Sequence, residues 1–253
     1  MKVDIEDRVA LVTGAGRGNG RAIARSLARN GAKVVVNDLD EEPAEETVDT
    51  IRNEGGTAVA APADISDENA VKAIVEEAEN KFGTIDILVN NAGAGAAQPF
   101  IDERENALWR FNIETDLWGS IYCIKHVMDG MIEQNYGKII NTTSIHTKNG
   151  VAGTPQYDVG KFSVLGLTKS LALELGRAGI RVNAVAPGHT KTRMTEDFPP
   201  DLEEEVTGRN PLGRFGESEE IADAVTFLAS PASDYVNGHE LRVDGGQQPV
   251  DML

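Results

Sequence analysis

Short apolar runs alternate with longer amphipathic stretches from one end of this chain to the other, and that alternation restricts its fold more than any other feature. Residues 9–12, 34–36, 85–89, 138–141 and 182–185 read as strands, with 239–243 as a last one. Their near-continuous Val, Ile and Leu content fits strands buried on both faces, as in a parallel sheet. Between them, 19–30, 41–54, 67–82, 104–134, 156–177 and 217–229 carry helical patterning. Strand, helix, strand in this order predicts an α/β protein: a doubly wound parallel sheet, its crossovers right-handed and helices on both faces. No repeat, linker or low-complexity tail interrupts the 253 residues, so one domain over 1–253 is expected. The least regular segment, 188–215, holds Pro199, Pro200 and Pro211. It reads as an excursion after a strand, the kind of segment that forms a lid over a substrate.

The first strand runs into Thr13-Gly14-Ala15-Gly16-Arg17-Gly18-Asn19-Gly20, and a helical pattern follows at once. Gly14, Gly18 and Gly20 permit a tight turn and close approach of backbone to a pyrophosphate. The helix N-terminus behind them then presents free N–H groups to that anion. The spacing matches neither G-x-G-x-x-G nor a P-loop, which would also need a lysine. Strand before and helix after nevertheless make this a nucleotide turn in a Rossmann-like sheet rather than a tight turn alone. Asp38 ends the second strand, eighteen residues beyond Gly20. A carboxylate there accepts hydrogen bonds from adenosine ribose hydroxyls and repels a 2′-phosphate, favouring NAD over NADP. Arg17 pulls the other way, since a guanidinium in the turn pairs with that phosphate. A fixed like charge is harder to escape than a flexible arginine, so NAD is the expected cofactor.

Tyr157 and Lys161 lie four residues apart, thirteen residues after Ser144. A phenol is too weakly acidic to exchange a proton at neutral pH unless a nearby cation stabilises its phenolate. On a helix, positions i and i+4 share a face, so Lys161 can supply that charge. Ser144 would donate a hydrogen bond to the same reacting oxygen. A Tyr/Lys pair at this spacing also occurs on ordinary solvated helices, so its surroundings decide its meaning.

Composition excludes several function classes. The 24 Lys and Arg against 41 Asp and Glu leave a net charge of −17, a field that repels nucleic acid and anionic membranes. The single cysteine, Cys123, rules out an intramolecular disulfide and any Cys-cluster metal site. No His/carboxylate spacing resembles a catalytic zinc site, so no metal is expected. The charged N-terminal residues carry no signal-peptide pattern, and no apolar run approaches the ~18 residues of a membrane span. A soluble cytoplasmic protein is expected.

Taken together, these residues resemble the short-chain dehydrogenase/reductase family, and the likeness runs from about Val9 to Gly246. Asp64 and Ile65 resemble the pair that contacts adenine. Asn90-Asn91-Ala92-Gly93 resembles the family's turn after the fourth strand, and Asn141-Thr142-Thr143-Ser144 the segment that delivers the catalytic serine. Tyr157 and Lys161 match the catalytic pair. The run from Asn183 to Gly188, with Pro187, resembles the loop beneath the nicotinamide, and Thr190 and Thr192 the nearby cofactor contacts. Val243-Asp244-Gly245-Gly246 matches the closing segment. One position departs: Asp116, in Asp116-Leu117-Trp118-Gly119, stands where the family carries an asparagine of its proton relay. Buried near Lys161, a carboxylate would pair with the ammonium and weaken its pull on Tyr157. A tolerated relay replacement and a functional change are both open readings.

The resemblance implies hydride transfer between a nicotinamide and a secondary alcohol or ketone. Ser144, Tyr157, Lys161 and Asp116 are the catalytic candidates, and a high cellular NAD/NADH ratio favours oxidation. Gly14, Arg17, Gly18, Asn19, Gly20, Asp38, Asp64, Ile65, Asn91, Ala92, Gly93, Pro187, Gly188, Thr190 and Thr192 are the candidate cofactor contacts, together with Tyr157 and Lys161. Substrate candidates are Ser144, His146, Gln156, Tyr157 and His189, a polar set that suits a sugar, polyol or hydroxy acid. Either histidine reads equally well as an ordinary loop residue. Met194, Phe198 and Leu202 equally suggest an apolar slot under the lid. Two alternatives stand beside this reading: an NADP-preferring ketoreductase like the 3-oxoacyl reductases, and a dinucleotide-binding protein without efficient chemistry. The family commonly pairs its two long helices across subunits, so a homodimer or homotetramer is implied.

Overall fold

A computed structural model describes residues 3–102, 105–196 and 198–247. Seven parallel strands form one sheet in the order β3-β2-β1-β4-β5-β6-β7. They are β1 (Val9–Val12), β2 (Lys33–Val36), β3 (Thr57–Ala60), β4 (Ile87–Asn90), β5 (Gly137–Thr142), β6 (Ile180–Pro187) and β7 (Glu240–Val243). The helices are α1 (Gly18–Arg29), α2 (Glu41–Asn53), α3 (Glu68–Phe82), α4 (Ala107–Asn112), α5 (Gly119–Glu133), α6 (Pro155–Leu175), α7 (Arg193–Glu196), α8 (Pro200–Gly208) and α9 (Ser218–Ala229). The doubly wound Rossmann-like sheet is as expected.

Successive side chains of a strand point to opposite faces, and both faces are covered. Ala10 and Val12 of β1 pack with Ile23 and Leu27 of α1 and with Val225 and Leu228 of α9. Val9 and Leu11 of the same strand pack instead with Val71 and Val75 of α3 and Val127 and Met131 of α5. Each fully buried aliphatic side chain of this kind contributes about 1.5–3 kcal/mol relative to exposure.

Two elements differ from the sequence reading. The strand Thr57–Ala60 was not expected; it pairs with β2 in register Val35↔Val59. The long helix expected over 104–134 runs unbroken from Ala107 to Glu133 but is not α-helical throughout. Between α4 and α5 lies a single π-helical segment, Ile113–Trp118, whose wider turn carries Asp116 inward. The Ser120 hydroxyl donates to the Asp116 carbonyl at 2.6 Å, four residues back, a bond that bends helices. Asn112, one turn before, is also buried, its amide donating to the carbonyls of Ala96 and Leu108.

The strand order reverses between β1 and β4, so a crevice opens at their carboxyl ends. The glycine turn, the Asn90–Gly93 turn, Ser144 and the loop after Pro187 all leave strands at that edge. Within 188–215, α7 and α8 leave the sheet, and Phe198, Leu202, Val206 and Phe215 form a small cluster of their own. The side chain of Met194 lies outside the described residues.

Candidate active site

A cavity of about 350 Å³ sits at this edge, lined among others by Asn19, Asn91, Gly93, Thr142, Ser144, His146, Tyr157, Lys161, Pro187, Gly188, His189, Thr190, Thr192 and Phe198. Ser144 follows β5 and opens a short 3-10 turn, Ile145–Lys148. Two threonines beside it fix this loop, because Thr143 Oγ1 and Thr147 Oγ1 both donate to Glu240 Oε1 of β7 at 2.7 Å. Tyr157 and Lys161 rise from the first turns of α6, whose start is set by Pro155 at its first position. Lys161 Nζ lies 5.7 Å from the Tyr157 ring centroid, so the predicted sharing of a helix face holds.

Lys161 is nearly sealed from solvent, and its Nζ lies 3.2 Å from Asp116 Oδ1. It also donates to the Thr142 carbonyl at 3.4 Å. Burial works against the ammonium, but Asp116 and Tyr157 outweigh it and hold its pKa above the ordinary lysine value. Asp116 Oδ1 accepts a further bond from the Ala94 N–H at 3.1 Å. The pairing anticipated for a buried Asp116 is therefore present. Gly93 makes room for it: a Cβ there would stand 2.7 Å from Lys161 Nζ and 2.8 Å from Asp116 Oδ1.

The glycine turn is built as a cradle. Gly14 and Gly18 have positive φ, and a Cβ on Gly20 would strike the Gly14 carbonyl. Asn91 binds the turn to the neighbouring strand end, its amide donating to the carbonyls of Thr13 and Gly14. The N–H groups of Asn91 and Ala92 both donate to Thr13 Oγ1 at 3.0 Å. Asp38 Oδ2 accepts the Gly16 N–H at 2.8 Å, and no side chain fits at position 16. Gly16 and Thr13 were missed from the sequence; the hydrogen-bond register between two strand ends was the only signal, and it is not local. Arg17 pairs with Asp40 at 3.2 Å on the surface. Two buried oxygens on the cavity wall, Asn19 Oδ1 and Thr142 Oγ1, have no hydrogen-bond partner among the described residues. A cradle closed to side chains, beside orphaned polar atoms, fits a dinucleotide.

Not every candidate converges. Ile65 is buried with its side chain against Gly119 of α5, where a Cβ would lie 2.6 Å from Cδ1. Asp64 is exposed and accepts from the Ser66 N–H and hydroxyl. Gln156, expected at the substrate, is fully buried, does not line the cavity, and accepts the Gln98 N–H. Its α6 position points it inward, away from Tyr157. His146 and His189 do line the cavity. Burial lowers the His189 pKa.

The chain matches the family model described as enoyl-(acyl carrier protein) reductase over residues 14–248. It is 41% identical over 244 residues to the cis-4-hydroxycyclohexanecarboxylate dehydrogenase of Sinomonas cyclohexanicum, covering 96% of this chain and 98% of that one. The chain belongs to the short-chain dehydrogenase/reductase family. Solved members superpose over nearly its whole length. A gluconate 5-dehydrogenase from Burkholderia cenocepacia, in complex with NADP and tartrate, gives a TM-score of 0.92 at 36% identity, covering 97% of this chain and 96% of its own. A 7α-hydroxysteroid dehydrogenase, complexed with NADH and 7-oxo glycochenodeoxycholic acid, gives 0.94 at 34%, with the same coverage. Family membership makes the chain an oxidoreductase that uses a nicotinamide dinucleotide on a small molecule.

Proposed function

We propose that the protein is an NAD-dependent dehydrogenase that interconverts a secondary alcohol and a ketone on a small polar molecule. The observation that carries this is the meeting of Ser144, Tyr157 and Lys161 on one cavity wall beside the glycine turn. In the direction of oxidation, Tyr157 takes the hydroxyl proton of the substrate. Lys161 stabilises the phenolate and holds the nicotinamide ribose, while Ser144 donates to the substrate oxygen and positions it. The bound dinucleotide supplies the hydride acceptor. Gly14, Gly16, Gly18 and Gly20 would hold its pyrophosphate, Asn19, Asn91, Gly93, Pro187, Gly188, Thr190 and Thr192 its nicotinamide half, and Asp38 its adenosine ribose.

The preference for NAD rests on Asp38. Its carboxylate stays at the end of β2, tied to Gly16, while Arg17 is engaged with Asp40. A 2′-phosphate would meet Asp38 and Asp40 together. The named relatives include both an NADP and an NADH complex, so cofactor choice belongs to the residues of each chain. The segment 188–215 would close over the substrate, with His189, Thr192 and Phe198 facing the cavity. Exposed Phe111, Trp118, Val159 and Phe162, on α4, the π segment and α6, support a homodimer or homotetramer.

One observation favours a second reading, a dinucleotide binder with little turnover: the carboxylate of Asp116 already occupies Lys161. A screen of secondary alcohols and ketones with NAD, NADP and their reduced forms, followed by nicotinamide absorbance, separates the two. Turnover of alcohols with NAD in preference to NADP is expected. Tight NAD binding with no turnover on any alcohol or ketone would overturn the dehydrogenase reading.

A further inference from the structure

His146 sits two residues after Ser144 on the cavity lining, and is held by a partner the trio does not use. Its Nδ1 lies 2.6 Å from Oδ1 of Asp158, and both side chains are about nine-tenths buried. Asp158 stands in the first turn of α6, where the helix N-terminus favours a carboxylate. It is saturated with donors besides His146: the Val151 N–H reaches Oδ2 at 2.6 Å and the Thr154 hydroxyl reaches Oδ1 at 3.1 Å. The imidazole and the Tyr157 ring also meet in a T-shaped contact, 5.1 Å between centroids and 86° between planes. Position and rotation of the ring are thus fixed, beside the tyrosine whose hydroxyl would take the proton.

The hydrogen bonds assign tautomers. A carboxylate only accepts, so His146 Nδ1 carries a proton, and in the neutral ring Nε2 presents a lone pair. His189, across the cavity, has the opposite arrangement. The Gln247 Oε1 accepts the His189 backbone N–H at 3.0 Å, which turns the amide nitrogen toward the ring, and that nitrogen donates to His189 Nδ1 at 2.9 Å. The proton of His189 therefore sits on Nε2. One imidazole offers an acceptor and the other a donor.

A hydroxyl can satisfy both at once, whereas a carboxylate can only accept. The charge on the walls points the same way. Among the described residues lining the cavity, Lys161 is the one Lys or Arg, and it is paired with Asp116. His146 is paired with Asp158, and burial disfavours a proton on His189. No uncompensated cation waits there for an acid.

We propose that His146, oriented by Asp158, recognises a second hydroxyl beside the carbinol that reacts, so that the substrate is a neutral vicinal diol or polyol. This rests on the alcohol dehydrogenase reading above and narrows its substrate. Asp158 is a positioning residue, acting through the imidazole.

The test compares kcat/KM with NAD for matched substrates: 2-butanol against 2,3-butanediol, cyclohexanol against cis-1,2-cyclohexanediol, and 2-hydroxybutanoate as the acid. The wild-type protein should favour each diol over its mono-alcohol by about tenfold or more, as one buried hydrogen bond to the substrate allows. His146→Leu should lower that ratio by a similar factor, and His146→Gln, which keeps an acceptor, should restore part of it. Asp158→Asn should raise KM for the diols more than for the mono-alcohols, a split that a purely structural role would not produce. Thermal melts and NAD binding verify that each variant is folded, and the wild-type ratio needs no variant. A wild-type ratio near one, a ratio unmoved in folded His146→Leu, or preference for the hydroxy acid overturns the inference and leaves the dehydrogenase reading standing. Absence of turnover on every alcohol overturns both.

Discussion

Asp116 Oδ1 lies 3.2 Å from Lys161 Nζ, and neither side chain is open to solvent. The ammonium that should act on a phenol is therefore shared with a buried carboxylate whose other donor is the Ala94 N–H. Its other oxygen, Oδ2, has no hydrogen-bond partner among the described residues. The expected result of Asp116→Asn follows from this geometry. With the negative charge removed, Lys161 acts on Tyr157 undivided, so kcat for alcohol oxidation is preserved or raised. A large loss of turnover in the folded variant would show that the carboxylate is required.

Tyr157→Phe removes the one hydroxyl assigned to proton transfer while keeping the ring. Turnover should fall by about 10²–10⁴-fold, while NAD affinity, measured by titration, stays nearly intact. Retained activity would remove the assigned role.

Asp38→Ala frees the Gly16 N–H and takes away the charge that opposes a 2′-phosphate. The ratio of kcat/KM with NAD to that with NADP should drop by about tenfold or more. An unchanged ratio would place the preference elsewhere in the turn.

At Gly93, a methyl group would press on both members of the buried ion pair. Gly93→Ala is expected to cost about 1–3 kcal/mol of stability, read as a lower Tm, and to depress kcat more than NAD binding. Wild-type Tm and rate in this variant would mean that Lys161 and Asp116 have more freedom than their packing indicates.

His189 supplies a pH dependence whose sign is fixed. Burial lowers its pKa in the folded protein, so the unfolded chain binds the proton more readily. The stabilisation is complete above the ordinary histidine value and is lost as pH falls through the folded value. Relative to wild type, His189→Gln should flatten the decline of Tm on acidification below that ordinary value. An identical slope in the two proteins would contradict the assignment.

Much of the frame was legible because its signals are local. Runs such as Val9–Val12 and Val34 to Val36 declare strands buried on both sides, and a glycine turn between strand and helix declares a nucleotide. Tyr157 and Lys161 needed only the helical period to meet. The strand Thr57–Ala60 escaped because it is short and half alanine, with Val59 as its single large apolar side chain. Nothing in Ile113–Trp118 announces a π turn; the bonds of Asp116 within it reach Ala94 and Lys161, far away in sequence. Gln156 neighbours Tyr157 in sequence and shares none of its surroundings, because adjacent helical positions point about 100° apart. The His146–Asp158 pair joins a 3-10 turn to a helix start twelve residues on, a contact no periodicity predicts.

Glu240 grips the threonines on either side of Ser144 from the last strand of the sheet. A side chain used in the middle of the reading frame is thus moored by one made almost at its end. As the polypeptide leaves the ribosome, the serine loop must wait for nearly a hundred further residues before its anchor arrives. Until β7 is made, the loop that carries Ser144 has its ties to β6 but lacks the carboxylate that joins its two threonines.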